Sequence, residues 1–272
     1  MLARHGLSPK RSFSQNFLCS PKAVDAIARA TGAEPGVTVV ELGPGCGTLT
    51  AALLELGASV LAIERDRDMI ALLAEELPTS ALSVRQGDAA TVDYAQLATE
   101  LGEVRVVGNL PYAITGAILR GLIDGCEHIE RAVVMVQREV GERLRAAPGS
   151  SAYGGLSVFA QNVYAIERVL KVPASAFHPA PKVDSAVMHL VPHAKPRATP
   201  DDVFAKLVHA AFQGRRKTLR NCLRRLPDAT PERVAAALAN ADVADGERGE
   251  RLSAERFGLL ADAWRAQAGD DP

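Results

Sequence analysis

The feature that most limits the fold is a regular alternation of short apolar runs with longer stretches of helical spacing. The apolar runs occupy residues 37–42, 60–63, 82–84, 104–107 and 132–136. The stretches between them, with apolar residues three or four positions apart, are 49–56, 69–77, 114–123 and 140–145. Strands that alternate with helices form βαβ units, so the pattern predicts an α/β fold built on a parallel sheet.

The pattern changes in the second half of the chain. Residues 164–172 and 183–191 both resemble strands, and the Pro-rich loop 173–181 is too short for a crossover helix, which favours an antiparallel pair. Residues 192–200 contain three prolines and are typical of a linker. Helical patterns follow at 203–212, 218–226, 231–239 and 254–268. We therefore expect an α/β domain over residues 1–196 and a small all-helical domain over 197–272.

A glycine-rich run follows the first predicted strand, with glycines at Gly43, Gly45 and Gly47. Glycines at alternate positions between a strand and a helix let the backbone pass close to a ligand. The spacing differs from the G-x-G-x-x-G of dinucleotide sites. It resembles the G-x-G-x-G of class I methyltransferases that use S-adenosylmethionine (SAM). Alone, the run is also compatible with a tight strand-to-helix turn that binds nothing.

Acidic residues follow the next two predicted strands. Glu64 ends the second strand, about 20 positions after the glycines, where a carboxylate can accept hydrogen bonds from two adjacent ribose hydroxyls. The alternative is a surface carboxylate paired with Arg65 or Arg67. Asp88 follows the third strand and could accept from the adenine amine of a cofactor. Because open α/β sheets bind ligands at the carboxyl ends of their strands, these acceptors predict a SAM site there.

The fourth predicted strand ends in Asn109, Leu110, Pro111 and Tyr112. The exocyclic amine of adenine is a poor nucleophile because its lone pair is delocalised into the ring. Acceptors for its two hydrogens favour a pyramidal nitrogen, and the Asn109 side chain and the Leu110 carbonyl could supply them. Pro111 fixes the turn that presents this carbonyl, and Tyr112 could stack on an extruded base. The alternative is a strand-ending Asn before a Pro turn with a packed Tyr.

Several stretches together resemble the ribosomal RNA adenine dimethyltransferases of the KsgA type. They are Asn-Leu-Pro-Tyr at 109–112, Gln-Asn-Phe-Leu at 15–18, Met-Val-Gln-Arg-Glu-Val at 135–140, Phe-His-Pro-Ala-Pro-Lys-Val-Asp-Ser-Ala-Val at 177–187 and Arg-Arg-Lys-Thr-Leu-Arg-Asn at 215–221. The matches extend from residue 13 to about residue 260, nearly the whole chain. Two positions depart from the family pattern, namely Ser20, where an acidic residue is frequent, and Thr115-Gly116, where serines usually follow the Tyr.

The resemblance implies a doubly wound seven-strand sheet, a helical C-terminal domain, and transfer of two methyl groups from SAM to each of two adjacent adenines near the 3′ end of small-subunit ribosomal RNA. By position it assigns Asn16, Leu18, Gly43, Gly45, Glu64, Asp88 and Asn109 to the cofactor. It assigns Asn109, Leu110, Pro111 and Tyr112 to the target adenine, with Phe177 stacking on the other face of the base. The alternative for Phe177 is a loop aromatic packed on the core.

A basic segment without any acid, residues 213–226, adds a candidate RNA surface. Its cations include Arg215, Arg216, Lys217 and Arg220, and on a helix Arg216, Arg220 and positions 223 and 224 would share one face. Such a strip neutralises phosphates and makes binding depend on salt. The alternative is a solvated helix face.

The overall composition gives little indication of a binding partner. The formal net charge is −1, which by itself does not indicate a nucleic-acid partner, and no apolar run is long enough to span a membrane. The four cysteines show no paired spacing, so we expect no metal site and a reduced, cytoplasmic location. The basic, Ser-containing start of the chain resembles a transit peptide, but it runs directly into the motif at 15–18.

Three other functions compete with small-subunit methylation. One is the related large-subunit adenine methylation that confers antibiotic resistance, which the motifs at 177–187 and 215–221 disfavour. Another is methylation of adenine in DNA, whose enzymes tend to carry Asp or Asn before Pro-Pro-Tyr. The third, from a different class, is a binding module or assembly checkpoint whose methylation is incidental. The partner that we expect is the small-subunit RNA in an assembling 30S subunit, bound by a monomer.

Overall fold

The structure, a computed structural model, describes residues 2–10, 13, 15–214 and 216–267. The strands are β1 (Phe17–Leu18), β2 (Thr38–Leu42), β3 (Ser59–Glu64), β4 (Leu82–Gln86), β5 (Val104–Asn109), β6 (Ile129–Gln137), β7 (Tyr164–Val172), β8 (Phe177–His178) and β9 (Ser185–Pro192). The helices are α1 (Pro21–Ala30), α2 (Thr48–Glu55), α3 (Arg67–Glu76), α4 (Tyr94–Leu101), α5 (Thr115–Asp124), α6 (Arg138–Leu144), α7 (Gly155–Val163), α8 (Asp202–Phe212), α9 (Leu219–Leu223), α10 (Pro231–Asn240) and α11 (Ala254–Ala266). Short 3-10 turns lie at Leu2–His5, Ala89–Thr91, Cys126–His128, Ala174–Ala176 and Gly249–Arg251.

Seven strands form one sheet in the order β4-β3-β2-β5-β6-β9-β7. Strands β2 to β6 pair in parallel, whereas β9 runs antiparallel to β6. The chain builds outward from β2 to β4 and then returns to β5 on the other side of β2. The carboxyl ends of β2 and β5 therefore flank the point where the strand order reverses, which is where doubly wound sheets bind ligands. The predicted α/β class and seven-strand sheet are confirmed.

The central strands are apolar on both faces. Neighbouring residues of a strand point to opposite sides of the sheet, and Val39 and Val40 of β2 are both fully buried, as are Val106 and Val107 of β5. Continuous apolar runs of this kind are typical of parallel strands that are covered on both sides. This explains why the sequence shows unbroken apolar runs rather than an alternating pattern.

Contacts divide the chain into two compact units, Met1–Gly141 with Ala165–Pro192, and Glu142–Tyr164 with His193–Pro272. The first holds the sheet. The sequence-based division at residue 196 assigned residues 142–164 to the α/β domain, whereas their contacts group them with the helical unit. The reason is physical, because Tyr153 and Val158 are buried in the apolar core that also contains Phe204, Phe257 and Trp264. Tyr153 Oη also donates to the Leu252 carbonyl at 2.8 Å.

Helix α9 is shorter than the predicted helix at 218–226. Thr218 caps it by accepting from the Asn221 N–H, and it spans only Leu219–Leu223. Leu219 and Leu223 are fully buried in the core of the helical unit. Arg216 therefore precedes the helix, and position 223 faces the core, so the predicted one-sided basic strip is not formed by a helix.

Candidate functional site

A cleft opens at the carboxyl ends of β2, β3, β4 and β5, where the strand order predicts it. Most of its lining comes from residues 15–18, 43–46, 63–65, 87–89 and 109–114, with Phe13 and Glu41. The structure therefore brings together the predicted glycines, both predicted carboxylates and the Asn-Leu-Pro-Tyr turn. Asn16 and Leu18, which the family resemblance assigned to the cofactor, also line it.

The glycine turn has a backbone that other residues rarely adopt. Gly43, Gly45 and Gly47 have φ values of 68°, 55° and 76°, and Gly47 caps the start of α2. A Cβ atom on Gly45 would lie 2.8 Å from the Phe17 ring, whereas one on Gly43 would meet no atom within 4 Å. Gly43 thus lies beside open space in the cleft lining. This fits the close approach of a ligand to the backbone, and it disfavours a turn that serves packing alone.

Glu64 is fixed in place at the end of β3. Its Oε1 accepts from the Arg65 and Asp66 N–H groups, both at 2.8 Å, and its Oε2 accepts from the Gly45 N–H at 3.1 Å. The side chain is buried, and burial raises its pKa against the opposing effect of these backbone donors. Its position differs from that of a surface carboxylate paired with arginine. Of the roughly four lone pairs of a carboxylate, the one left on Oε2 can still accept from a ribose hydroxyl.

Asp88 lies at the end of β4 with both oxygens engaged. Oδ1 accepts from the Ala90 N–H at 2.9 Å and caps a 3-10 turn, while Oδ2 pairs with Arg65 Nη1 at 3.1 Å. The Arg65 guanidinium also lies 5.8 Å from the centre of the Phe13 ring. This corner of the cleft therefore offers an acceptor, a planar cation and an aromatic face to an adenine ring.

Asn109 ends β5, and hydrogen bonding determines which way its side-chain amide is turned. Its Nδ2 donates to the Asn16 carbonyl at 2.8 Å. A carbonyl oxygen cannot accept from an amide oxygen, so the nitrogen must occupy this position and the oxygen the other. Asn109 therefore offers an acceptor, the atom type that an adenine amine needs. The neighbouring Leu110 N–H donates to the Met135 carbonyl at 3.1 Å and holds the turn against β6.

Contacts to the two following residues fix the rest of the turn. The Pro111 carbonyl accepts from Thr115 Oγ1 at 3.0 Å, so the threonine found in place of the family's serine keeps a hydroxyl at the turn. The Tyr112 hydroxyl lies 2.7 Å from Ser185 Oγ, and burial raises the pKa of the phenol. The Tyr112 ring is thereby held at the cleft, as stacking on a base requires.

Phe177 lies elsewhere. Among the described residues, those lining the cleft do not include it, and its side chain is 5% exposed in the apolar core with Leu18 and Val24. It belongs to β8, which pairs antiparallel with β1 so that Phe177 faces Leu18. The observed position thus matches the alternative for Phe177, an aromatic residue packed on the core. Stacking on a base would require the ring to leave this packing, so that role stays a prediction.

The predicted RNA-binding cations differ in their exposure and in their ion pairs. Arg216 and Lys217 are exposed, while Arg220 pairs with Asp245. Arg215 lies outside the described residues. The salt bridge of Arg220 makes this residue less available to a phosphate than Arg216 or Lys217. RNA binding by this segment therefore stays a prediction, to which Arg216 and Lys217 and the exposed Arg224 and Arg225 at its end can contribute.

Sequence patterns did not single out Glu41, which lines the cleft from within β2. It is 2% exposed and accepts from Thr50 Oγ1 at 2.6 Å. Burial raises the pKa of Glu41 to about 7, against the lowering effect of the Thr50 hydroxyl. The available signal was a glutamate within an otherwise apolar run, two positions before the first glycine.

The Glu41 carboxyl makes stability depend on pH. Its pKa rises from 4.5 to about 7 on folding, so the folded state binds the extra proton between these values. The resulting stabilisation is present below pH 4.5 and is lost as pH rises to about 7, by roughly 3 kcal/mol. Glu41→Gln keeps an oxygen for Thr50 and removes the titration. We expect the free energy of unfolding of the wild type, relative to Glu41→Gln, to fall by this amount in urea titrations. A difference that is constant across this pH range would contradict the assignment.

The described part of the chain contains neither a candidate metal site nor a candidate membrane-spanning helix. There, no group of three or more His, Cys, Asp or Glu side chains could hold a metal ion. No described helix has both the length and the apolar character that crossing a membrane requires.

Known proteins resemble this chain along nearly its whole length. A sequence model of the family described as ribosomal RNA adenine dimethylase matches residues 6–263. The Ribosomal RNA small subunit methyltransferase A of Myxococcus xanthus strain DK1622 is 45% identical over 263 residues, which cover 96% of this chain and 92% of that protein. The protein of the same name from Anaeromyxobacter sp. strain K is 44% identical, with 96% and 95% covered.

Two solved structures share the fold. The dimethyladenosine transferase from Plasmodium falciparum superposes with a TM-score of 0.81 at 26% identity, and the match covers 93% of this chain and 98% of that one. The 23S rRNA methyltransferase ErmE superposes with a TM-score of 0.68 at 29% identity, covering 92% and 100%.

Proposed function

The chain belongs to the ribosomal RNA adenine dimethylase family, and from that premise we propose that it methylates N6 of two adjacent adenines in the 3′-terminal hairpin of small-subunit ribosomal RNA. It is a SAM-dependent enzyme. The observation that carries the proposal for the site is the Asn109 amide, whose nitrogen is bound to the Asn16 carbonyl and whose oxygen is therefore the end that can accept from an amine.

The chemistry required of the protein is to make a weak amine nucleophilic. Asn109 Oδ1 would accept one hydrogen of the amine, and the Leu110 carbonyl would accept the other. These two hydrogen bonds favour a pyramidal nitrogen, whose lone pair is less delocalised into the adenine ring. Tyr112 holds the base by stacking, with its hydroxyl fixed by Ser185. Held in this way by Asn109, Leu110 and Tyr112, the amine would be able to accept a methyl group from SAM with release of S-adenosylhomocysteine, and it would lose one proton to water. Fixed positions supply most of the rate, since the amine must attack in line with the breaking bond.

The cofactor fits the rest of the cleft. Bound SAM supplies an electrophilic methyl group on a sulfonium sulfur, so the protein needs to hold and orient it rather than activate it. Glu64 would accept from a ribose hydroxyl, and Gly43, which lies beside open space, would leave room for the chain that carries the sulfur. Asp88 and Phe13 would bind the adenine ring, the first at its amine and the second at its face.

Two RNA substrates have support from relatives. The curated relatives carry the small subunit in their names and are 44–45% identical, whereas ErmE, named for 23S rRNA, is 29% identical. We therefore favour the small subunit over the large one.

The test supplies purified 30S and 50S subunits that lack adenine methylation, together with SAM labelled in its methyl group. We expect label in the 30S particle alone, at N6 of the two hairpin adenines when the RNA is digested and analysed by mass spectrometry. Label confined to 50S particles would replace this function with the large-subunit one. Label in neither would remove the proposal.

The setting of the reaction belongs to the same proposal. We place the enzyme in the cytoplasm as a monomer that binds an assembling 30S subunit. Binding to this particle would also serve an assembly checkpoint, the alternative role that does not need catalysis.

The exposed cations of the helical unit give this proposal an electrostatic test. Arg216→Glu with Lys217→Glu reverses the charge of two exposed cations that lie shortly before α9. We expect weaker binding of the hairpin RNA, and a salt dependence of log K that is flatter by about 1 for each phosphate that is no longer neutralised. Fluorescence anisotropy of labelled hairpin across a salt series measures both.

The matched control reverses two exposed arginines of the other unit, Arg29 and Arg120, which pair with Asp25 and Asp124. It changes the net charge equally. If the control flattens the salt dependence as much as the Arg216–Lys217 variant, or if neither does, the segment does not contact phosphates.

A further inference from the structure

Gln15 uses both ends of its side-chain amide. Its Oε1 accepts from the Lys10 N–H at 2.8 Å, and its Nε2 donates to Asp66 Oδ2 at 2.9 Å. Asp66 is 3% exposed, caps α3 by accepting from the Asp68 N–H, and also receives the Lys10 ammonium at 2.7 Å. Asp66 is therefore a fixed, buried acceptor. Gln15 ties the segment before β1 to it with a bond that requires a donor.

The residue after Gln15 contacts the centre of the proposed chemistry. The Asn16 carbonyl accepts from Asn109 Nδ2, and this bond distinguishes the two ends of the Asn109 amide. The two orientations have nearly the same shape, so hydrogen bonding decides between them. In the reversed orientation the NH₂ group would meet the NH₂ group of adenine, and two donors do not bond.

The position of the Asn16 carbonyl is set from both sides. On the far side, Phe17 and Leu18 pair with His178 and Phe177, and the Cys19 N–H donates to the Ala176 carbonyl at 2.7 Å. On the near side, the contacts of the described residues include those of the Gln15 side chain and a bond of 3.5 Å from the Gln15 N–H to the Lys10 carbonyl. Loss of the side-chain bonds would leave β1 in place and weaken the support of the peptide that carries the Asn16 carbonyl.

We propose that Gln15 is a positioning residue for methyl transfer: through Asp66 it fixes the Asn16 carbonyl, which holds the Asn109 amide with its oxygen toward the target amine. The inference rests on the proposed function of Asn109. It assigns Gln15 no contact with the reacting atoms. Gln15 affects the orientation of an acceptor. Its loss should therefore lower the rate of transfer at saturating substrate concentrations more than it weakens substrate binding.

The variant that tests this is Gln15→Glu, which keeps size and replaces the donor to Asp66 with an acceptor. We expect the single-turnover rate, at saturating SAM and hairpin RNA, to fall by about tenfold or more, because small misplacements have large costs in transfer reactions. KM values should change less than the rate. Gln15→Leu, which adds no charge, should give a similar loss.

The matched control is Glu76→Gln. Glu76 anchors the same N-terminal segment to α3 through Arg4 and His5, at 3.0 and 2.7 Å, but does not touch Gln15 or Asn16. We expect its rate to stay within about twofold of the wild type. A control loss equal to that of Gln15→Glu would reduce Gln15 to a general anchor and overturn the inference.

A second measurement does not depend on activity. The side-chain NH₂ resonance of Asn109, identified by its loss in Asn109→Ala, reports the bond to Asn16. In Gln15→Glu we expect its proton exchange to speed up and its shift to move toward that of an exposed amide, whereas in Glu76→Gln it stays unchanged. An unaltered resonance in Gln15→Glu would overturn the inference even if the enzyme proved to have another substrate. Absence of methyl transfer in the wild type would instead overturn the proposed function.

Discussion

Asn109→Ala is expected to lower the rate of methyl transfer by about 10²–10³-fold while the affinity for 30S subunits stays within about twofold. The substitution removes an acceptor whose position is set by the Asn16 carbonyl at 2.8 Å, so the amine loses one of the two groups that make it nucleophilic. The Leu110 carbonyl remains, which is why activity should not vanish. Single-turnover transfer of labelled methyl groups gives the rate, and sedimentation with 30S subunits gives the binding.

Asn240→Ala serves as the control, because Asn240 is exposed at the end of α10. It should leave both quantities unchanged. Equal turnover by Asn109→Ala and wild type would refute the proposed role of the side chain. Loss of 30S binding in parallel with the rate would show that Asn109 serves binding, and normal binding without transfer is what separates catalysis from a checkpoint role.

Glu64→Gln is expected to weaken SAM binding by roughly 10–100-fold. The Glu64 carboxylate accepts three backbone N–H groups, and an amide can satisfy only those at its oxygen. Its NH₂ group would face either the Gly45 N–H or those of Arg65 and Asp66, and the charge that favours the ribose hydroxyls would be lost. Isothermal titration calorimetry with SAM measures the dissociation constant.

The control here is Glu55→Gln, the same chemical change at an exposed residue that ends α2. Its dissociation constant should match the wild type. If Glu64→Gln also binds SAM as the wild type does while remaining folded, then Glu64 joins the turns that follow β2 and β3 and does not bind the cofactor.

The fold was predictable where local and tertiary preferences agree. Central strands that are buried on both faces must be apolar throughout, so β2, β3, β5 and β6 follow directly from their runs. Helix α1 is absent from the sequence-based prediction although Pro21 follows the capping Ser20 and the helix is as long as α3 and α5. Helix α7 begins after Gly154, which has no side chain to cap it, and the remaining local signal is Ser157, whose Oγ accepts from the Gly154 N–H at 3.1 Å.

The site was predictable to the extent that it follows strand ends. Gly43, Glu64, Asp88 and Asn109 lie where successive parallel strands end, and the topology alone brings them to one cleft. The bond between Gln15 and Asp66 joins residues 51 positions apart and depends on side-chain directions that no periodicity encodes. The core position of Phe177 likewise follows from the pairing of β8 with β1, two strands of two residues each.

Two acceptors and one amine are central to the proposed mechanism, and a crystal structure with S-adenosylhomocysteine and an adenine-bearing hairpin RNA tests their geometry most directly. We predict Asn109 Oδ1 and the Leu110 carbonyl oxygen each within about 3.2 Å of N6 of the extruded adenine, with N6 in line with the sulfur. An adenine bound in the cleft with N6 beyond hydrogen-bond distance of both oxygens would contradict this mechanism.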